Sequence, residues 1–486
     1  MLVARRVDMT PASEVDLTQV PGKTTWTPSE VTAALARLAE AVEAAAHPAR
    51  DLPVHPHASR ESLEKCLDGK YCTSPQRLVD VLHTLEVALG MGALQGNHPG
   101  HFGMFLPEVT PAATLAAAVA AARNPQLATF ASAPGAVSLE EKTLGAFAAL
   151  LPWDPGAAGM QFTTGASEGN LTAVLLALHR AIPTWRTEGL AGLPSRPVVY
   201  ASEEAHPTVL RAVLAAGLGE SGLRAIPTDD PGRLRVKALR RTITEDRARG
   251  LHPVCVVGTL GTTVTGALDP AGELADVARD ERLWLHLDAA YGGGGLLVPA
   301  LRPWLEGVER CDSIAWDAHK TLPVPLGAGM FFTRSRGALR ALFTHEARYL
   351  PRPGALSRPE PWAEGLRWSR GAVGAPTFAA LATLGMGGLG ERFARTVALG
   401  ERLRGALRAR GWALLNDTPL PVVCAWHPEL RGRSARKLQR LIPPALWVLP
   451  VTCRGRPALR ACVTSGRTTE ADVDALVDAL DALRAR

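Results

Sequence analysis

From about residue 111 to residue 350 the chain switches repeatedly between two hydrophobic periods. Short β-rich runs ("AGMQFTT", "PVVYAS", "PVCVVGT", "LWLHLDAAY", "DSIAWDA" and "GAGMFFT") are separated in several places by helical patterns such as "NLTAVLLALHRA" and "HPTVLRAVLAAG". Strands that alternate with helices predict a mostly parallel sheet with crossover helices, an α/β architecture. The flanks differ. Residues 1–110 read as helices and loops, with a helix over 28–46 ("PSEVTAALARLAEAVEAAA"). Residues 351–486 predict a small α+β domain: a helical stretch (376–410), the strand-like "PVVCAWH" and "RACVTS", and a last helix opened by Thr469 with Asp472 in a capping box. The expected division is therefore 1–110, 111–350 and 351–486.

Composition excludes several classes. A hydrophobic share of 47% and a charged share of 21% are those of an ordinary globular protein. The net charge of +6 is spread along the chain, and the densest basic run, "RGRSARKLQR" (431–440), has no interleaved aromatics, so no nucleic-acid surface is expected. Seven cysteines form no CxxC pair, and their odd count argues against a disulfide framework and for a reducing cytoplasm. The first residues, "MLVARRVDMTPASEV", lack an apolar h-region, and the most apolar stretch, "TLAAAVAAA" (114–122), is half the length of a membrane span. A cytoplasmic protein without a membrane partner is the expectation.

In an open parallel sheet, ligands bind beyond the carboxyl ends of the strands, so the polar residues there matter as a set. "QFTTGASEGN" runs from a strand through a Gly-Ala-Ser turn into a helix, whose free N–H groups suit a phosphate. His206 follows "PVVYASEEA", and Thr262 and Thr263 follow "PVCVVGTLG". Asp288 ends "LWLHLD", where a carboxylate is costly unless it meets a cation or a protonated ring. Lys320, one of only seven lysines, follows "DSIAWDAH". Each residue alone reads equally well as a cap, a turn hydroxyl or half of a salt bridge. Together, a phosphate cradle, an imidazole, a buried carboxylate and an amine are what pyridoxal 5'-phosphate needs. Arg cannot replace Lys320, because a guanidinium stays protonated and forms no imine.

These segments resemble the group II pyridoxal-phosphate-dependent amino-acid decarboxylases, the family of the aromatic L-amino-acid and glutamate decarboxylases. The resemblance rests on "TTGASEGNLTAVLLA", "EEAHPTVLRA", "GTLGTT", "WLHLDAAYGG" and "DSIAWDAHKTL", with "NHPGHFGMFLPE" (97–108) and "LRACVTSGRTTEADVDALVDAL" (459–480) as active-site wall and closing segment. It covers about residue 90 to the end. It implies fold type I (aspartate-aminotransferase-like), a homodimer, and decarboxylation of an L-amino acid to its amine and CO₂. The apolar stripe of the helix 28–46 (Val31, Ala34, Leu35, Leu38, Val42), without an obvious partner in the catalytic domain, places the expected dimer interface in the N-terminal segment. By matching positions, Lys320 carries the cofactor covalently, Asp288 pairs with the pyridine nitrogen, and His206 stacks on the ring. Ala166, Ser167, Thr263 and His319 surround the phosphate, and Asp317 belongs to the cofactor set. His98, Phe102 and Phe105 fall in the substrate wall, and Tyr349 matches a mobile-loop tyrosine that supplies a proton.

Departures from the family pattern are visible too. Asp317 stands where many relatives have Asn, Thr321 where many have Trp or Leu, and Met104 where the aromatic-acid enzymes have an aromatic residue. The last of these puts an aromatic substrate in doubt. His98 and His101 share an HxxH spacing without a nearby carboxylate or Cys, so no metal site is expected. Three alternatives stay open: an aldehyde-forming oxidative deaminase or a C–C lyase on the same cofactor, a non-catalytic regulator, and an NAD-dependent oxidoreductase, whose dinucleotide fingerprint is not found. The sequence does not name the substrate side chain.

Overall fold

In a computed structural model that describes residues 26–47, 50–67, 76–191, 193–346, 348 and 360–485, the six β-rich runs become strands of one seven-stranded sheet. These are β1 (Gly159–Thr163), β2 (Pro197–Ser202), β3 (Leu223–Ile226), β4 (His252–Thr259), β5 (Trp284–Asp288), β6 (Ser313–Asp317) and β7 (Gly329–Thr333). Their spatial order is β1-β7-β6-β5-β4-β2-β3. The block β6-β5-β4-β2-β3 is parallel, and β7 runs antiparallel to both β6 and β1. Strand β1 therefore points the same way as the parallel block, and the carboxyl ends of β1, β2, β4, β5 and β6 share one edge. The expected convergence of polar strand ends follows from this topology.

Both faces of the sheet are covered, which is why its strands read as continuous apolar runs. On one face the helices Ala166–Ala181 and Pro207–Ala215 bring Val174, Leu178, Val209 and Val213 against Val199, Val257 and Phe331. On the other, Leu239, Ile243 and Leu274 meet Val198, Val256, Leu285 and Ile314. The period of two places Trp284, His286 and Asp288 of β5 on one face, the face that the helix Ala166–Ala181 covers.

A second sheet is antiparallel: β8 (Ala413–Leu414), β9 (Val422–Trp426), β10 (Leu449–Cys453) and β11 (Arg456–Cys462), in the order β10-β11-β9-β8. The helical stretch before it runs from Ala375 to Ala409, but Gly385 (φ 67°, ψ 167°) breaks it into two helices. The left-handed φ is one that glycine adopts at no steric cost. The last helix, Glu470–Asp481, has both halves of the Thr469–Asp472 capping box.

The chain divides into two compact units, one of residues 1–44 and 56–93, the other of residues 45–55 and 94–486 with both sheets. In the first unit, Arg37 of the helix Pro28–Ala46 reaches Glu86 of the helix Leu78–Gly90 at 3.0 Å. The apolar stripe of Pro28–Ala46 leaves Val31, Leu35 and Leu38 exposed by 41%, 59% and 43%. No described helix is long and apolar enough to cross a membrane.

Candidate active site

The turn from β1 into the helix Ala166–Ala181 is fixed by its own first helical turn. Glu168 accepts hydrogen bonds from the Thr164 amide (2.8 Å) and hydroxyl (3.0 Å), and pairs with Arg367 at 3.1 Å. The neighbouring strand must carry a glycine here, because a Cβ on Gly329 would lie 2.6 Å from the Gly165 Cα. Asp317, at the end of β6, accepts the Ala166 N–H at 2.6 Å through Oδ1, while its Oδ2 is 2.9 Å from Lys320 Nζ. One carboxylate thus ties the helix start to the lysine.

Asp288 ends β5 with its side chain 4% exposed. Its Oδ2 accepts from Asn170 Nδ2 at 2.9 Å and its Oδ1 from the Ala290 N–H at 3.1 Å. His206 caps the helix Pro207–Ala215, its Nδ1 2.9 Å from the Thr208 hydroxyl. Burial pushes the His206 imidazole below its ordinary pKa, as does the Lys320 ammonium, while Asp288 and Asp317 pull the other way. Thr262 and Thr263 part company. Thr262 is buried in its turn, bonded to Thr265 at 2.8 Å and accepting the Ala267 N–H at 3.0 Å, whereas Thr263 faces a cavity.

That cavity, of about 200 Å³, is lined by Phe105, Ala166, Ser167, His206, Thr263, Asp288, Asp317 and Lys320 of the sequence-predicted set. His319 sits just behind it. Its Nδ1 donates to the Ala328 carbonyl at 2.9 Å, and a Cβ at Gly165 would be 3.6 Å from its ring. His98 and Phe102 are not brought into the cavity: the His98 Nδ1 accepts the Gly100 N–H at 3.0 Å, and Phe102 lies in the core of the small sheet. Tyr349 lies outside the described residues. Among the described residues, no group of three or more His, Cys, Asp or Glu could hold a metal ion.

Two further residues of the cavity were not singled out in the sequence. Arg460 of β11 is 2% exposed, its Cζ 4.6 Å from the Phe105 ring centroid. Its Nη1 donates to the Gly103 carbonyl at 2.5 Å, but Nε and Nη2 have no partner among the described residues. Tyr291 stacks on Phe105 (centroids 3.7 Å apart), and its hydroxyl is likewise without a partner among the described residues. The signal for Arg460 was a lone charge inside the buried run "LRACV", where a guanidinium is costly unless something meets it.

The cavity's donor set fits pyridoxal phosphate. A helix start with Ser167 and Thr263 suits the phosphate, and Thr259 adds a buried hydroxyl without a partner among the described residues. A buried carboxylate, an imidazole and a primary amine complete the set. Fold and site together define a fold type I pyridoxal-phosphate enzyme.

Comparison with known proteins narrows the class. The pyridoxal-dependent decarboxylase conserved domain matches residues 59–427, and the chain belongs to that family. It is 29% identical over 425 residues to the acidic amino acid decarboxylase GADL1 of Mus musculus, covering 80% of this chain and 74% of that protein. It is 31% identical over 291 residues to the cysteine sulfinic acid decarboxylase of Rattus norvegicus, covering 60% and 58% of the two chains. The crystal structure of mouse CSAD in apo form superposes with a TM-score of 0.85 at 26% identity, covering 94% of this chain and 99% of that one. The Oryza sativa TDC structure with PLP and tryptamine, at 24% identity, covers 95% of this chain and 99% of that one with a TM-score of 0.87, and shows the fold alone. The protein is a pyridoxal-phosphate-dependent carboxy-lyase that decarboxylates an amino acid.

Proposed function

We propose that the enzyme decarboxylates an L-amino acid whose side chain carries a second acidic group, and that Arg460 binds that group. The observation that carries this reading is the buried guanidinium with two unpartnered nitrogens at the cavity wall. Charge-assisted hydrogen bonds from Arg to a carboxylate or sulfinate are short and directional. A decarboxylase does not gain from clamping the carboxylate that leaves, because that stabilises the ground state; an Arg here acts better on an acid that stays. The printed names of the relatives, acidic amino acid and cysteine sulfinic acid decarboxylases, support the same substrate class.

In this reading Lys320 holds the cofactor covalently, Asp288 faces the pyridine nitrogen, His206 covers the ring, and Ala166, Ser167, Thr263 and His319 surround the phosphate. The bound cofactor supplies an electron-withdrawing ring that accepts the electron pair of the broken Cα–CO₂ bond. The Asp288 carboxylate would favour a positive charge at the ring nitrogen. Arg460, pressed against Phe105, holds the substrate by the group that does not react. Tyr349 returns the proton to Cα. A cytoplasmic homodimer formed through the N-terminal segment completes the proposal, and the exposed stripe of Val31, Leu35 and Leu38 supports it.

The test compares acidic amino acids with their neutral amides in the wild type and in Arg460→Met. The wild type should prefer the acid, and the variant should lose about ten- to a hundredfold in kcat/KM for the acid alone, the range for one hydrogen bond to a charged group. Equal losses on acid and amide would remove Arg460 from substrate recognition.

A further inference from the structure

Asp288 and His206 are joined by one chain of hydrogen bonds, buried from Trp284 to Thr208 and open to solvent at His206, and its direction follows from the donors. The indole N–H of Trp284 can only donate, and lies 2.8 Å from Ser313 Oγ. The Ser313 hydroxyl proton is then free for His286 Nδ1, at 2.9 Å. Burial pushes the His286 pKa down, which favours the neutral ring; with Nδ1 accepting from Ser313, its one proton lies on Nε2. That nitrogen is 2.9 Å from Asn170 Oδ1. With its carbonyl accepting there, the amide of Asn170 presents both N–H groups forward, one to Asp288 Oδ2 at 2.9 Å and one to Thr208 Oγ1 at 3.1 Å. Thr208, already accepting, gives its own proton to His206 Nδ1 at 2.9 Å.

The reverse arrangement fails on charge. It would place Nδ1–H of His286 on the Ser313 carbonyl at 3.2 Å and turn the Asn170 carbonyl onto the Asp288 carboxylate, two acceptors face to face. Asn170 is 1% exposed, His286 and Ser313 are 0%, so water does not compete for these partners.

We infer that Asn170 is a positioning residue of the reaction: held by His286, it keeps the Asp288 carboxylate aimed at the cofactor's ring nitrogen and fixes the tautomer of His206. This rests on the reading that Asp288 faces the ring nitrogen. Asn170 and His286 carry no chemistry of their own. They set which lone pair of Asp288 is taken and leave the remaining ones to the ring. In neutral His206 the ring proton sits on Nε2, because Nδ1 accepts from Thr208.

The test reads the ring nitrogen directly. Enzyme reconstituted with pyridoxal phosphate labelled with ¹⁵N in the ring reports by its chemical shift whether that nitrogen is protonated. The wild type should give the protonated signal. Asn170→Ala should bind cofactor, lose that signal in part, and fall about ten- to a hundredfold in kcat at cofactor saturation, the range for one hydrogen bond to a charged group. His286→Gln keeps an N–H donor near the Nε2 position and should retain the wild-type signal; His286→Leu, a packing replacement, should resemble Asn170→Ala. A wild-type signal in Asn170→Ala, or identical behaviour of the two His286 variants, overturns the inference. Asp288→Asn separates the two levels. If it leaves the signal unchanged, the assignment of Asp288 fails and takes the inference with it; if it abolishes the signal while Asn170→Ala does not, only the inference fails.

Discussion

Lys320 Nζ lies 2.9 Å from Oδ2 of Asp317, whose other oxygen accepts the Ala166 N–H at the start of the helix proposed to bind phosphate. Asp317 therefore has two opposed effects. It joins the lysine and the helix start in one frame, and it adds a negative charge where a phosphate dianion is expected. Many relatives carry Asn at this position, which accepts the same N–H without the charge.

Asp317→Asn should therefore bind pyridoxal phosphate more tightly, by about tenfold, since one unit charge at contact distance in a partly screened site is worth one to a few kcal/mol. Equilibrium titration of the apo-protein, followed by the cofactor's absorbance, measures this. Weaker binding would mean that the frame matters more than the repulsion.

Much of the site was legible because each strand end is a local event. A polar residue that follows an apolar run lies at the sheet edge, and Asp288 and Lys320 were found that way, whereas Asp317 entered only through the family resemblance. Strand β3 was not, since Leu223–Ile226 is a four-residue edge strand with only one buried residue and no apolar run to mark it. Strand β10 was missed for a similar reason, as Leu449–Cys453 contains a proline and is mostly half-buried. The break at Gly385 was hidden because glycine is tolerated in a helical pattern. Asn170 and His286 were invisible as functional residues. Asn170 meets His286 and Asp288 across more than a hundred positions, their other partners Thr208 and Ser313 are also distant in sequence, and nothing in the local pattern marks a buried amide as a hub.

The wall segment carries a pH dependence. His101 stacks on Trp447 (centroids 5.5 Å apart), and neither ring nitrogen has a partner among the described residues. Burial lowers its pKa from 6.5 to about 4. Between those values the unfolded chain binds more protons than the folded one. Its stability contribution is therefore full above pH 6.5 and is lost as the pH falls towards 4, by about 3 kcal/mol. His101→Phe keeps the stack and removes the titration. Urea midpoints measured from pH 7 to pH 4.5 should fall less steeply in the variant, and parallel curves would contradict this assignment.

Tyr349→Phe keeps the aromatic ring while removing the hydroxyl, the proposed proton donor. It should still release CO₂ but return less amine, with more aldehyde, ammonia and peroxide under air. Product analysis under oxygen and under nitrogen tests this. Wild-type amine yields without peroxide would assign the proton to another group.

The central claim is that the strand ends converge on a cofactor carried by Lys320. Borohydride reduction of the holo-enzyme, followed by peptide mapping, tests it most directly, because reduction fixes the cofactor on whichever lysine holds it. The account predicts the label on the peptide containing Lys320 and on none of the six other lysines among the chain's seven. A label on any other lysine would contradict it.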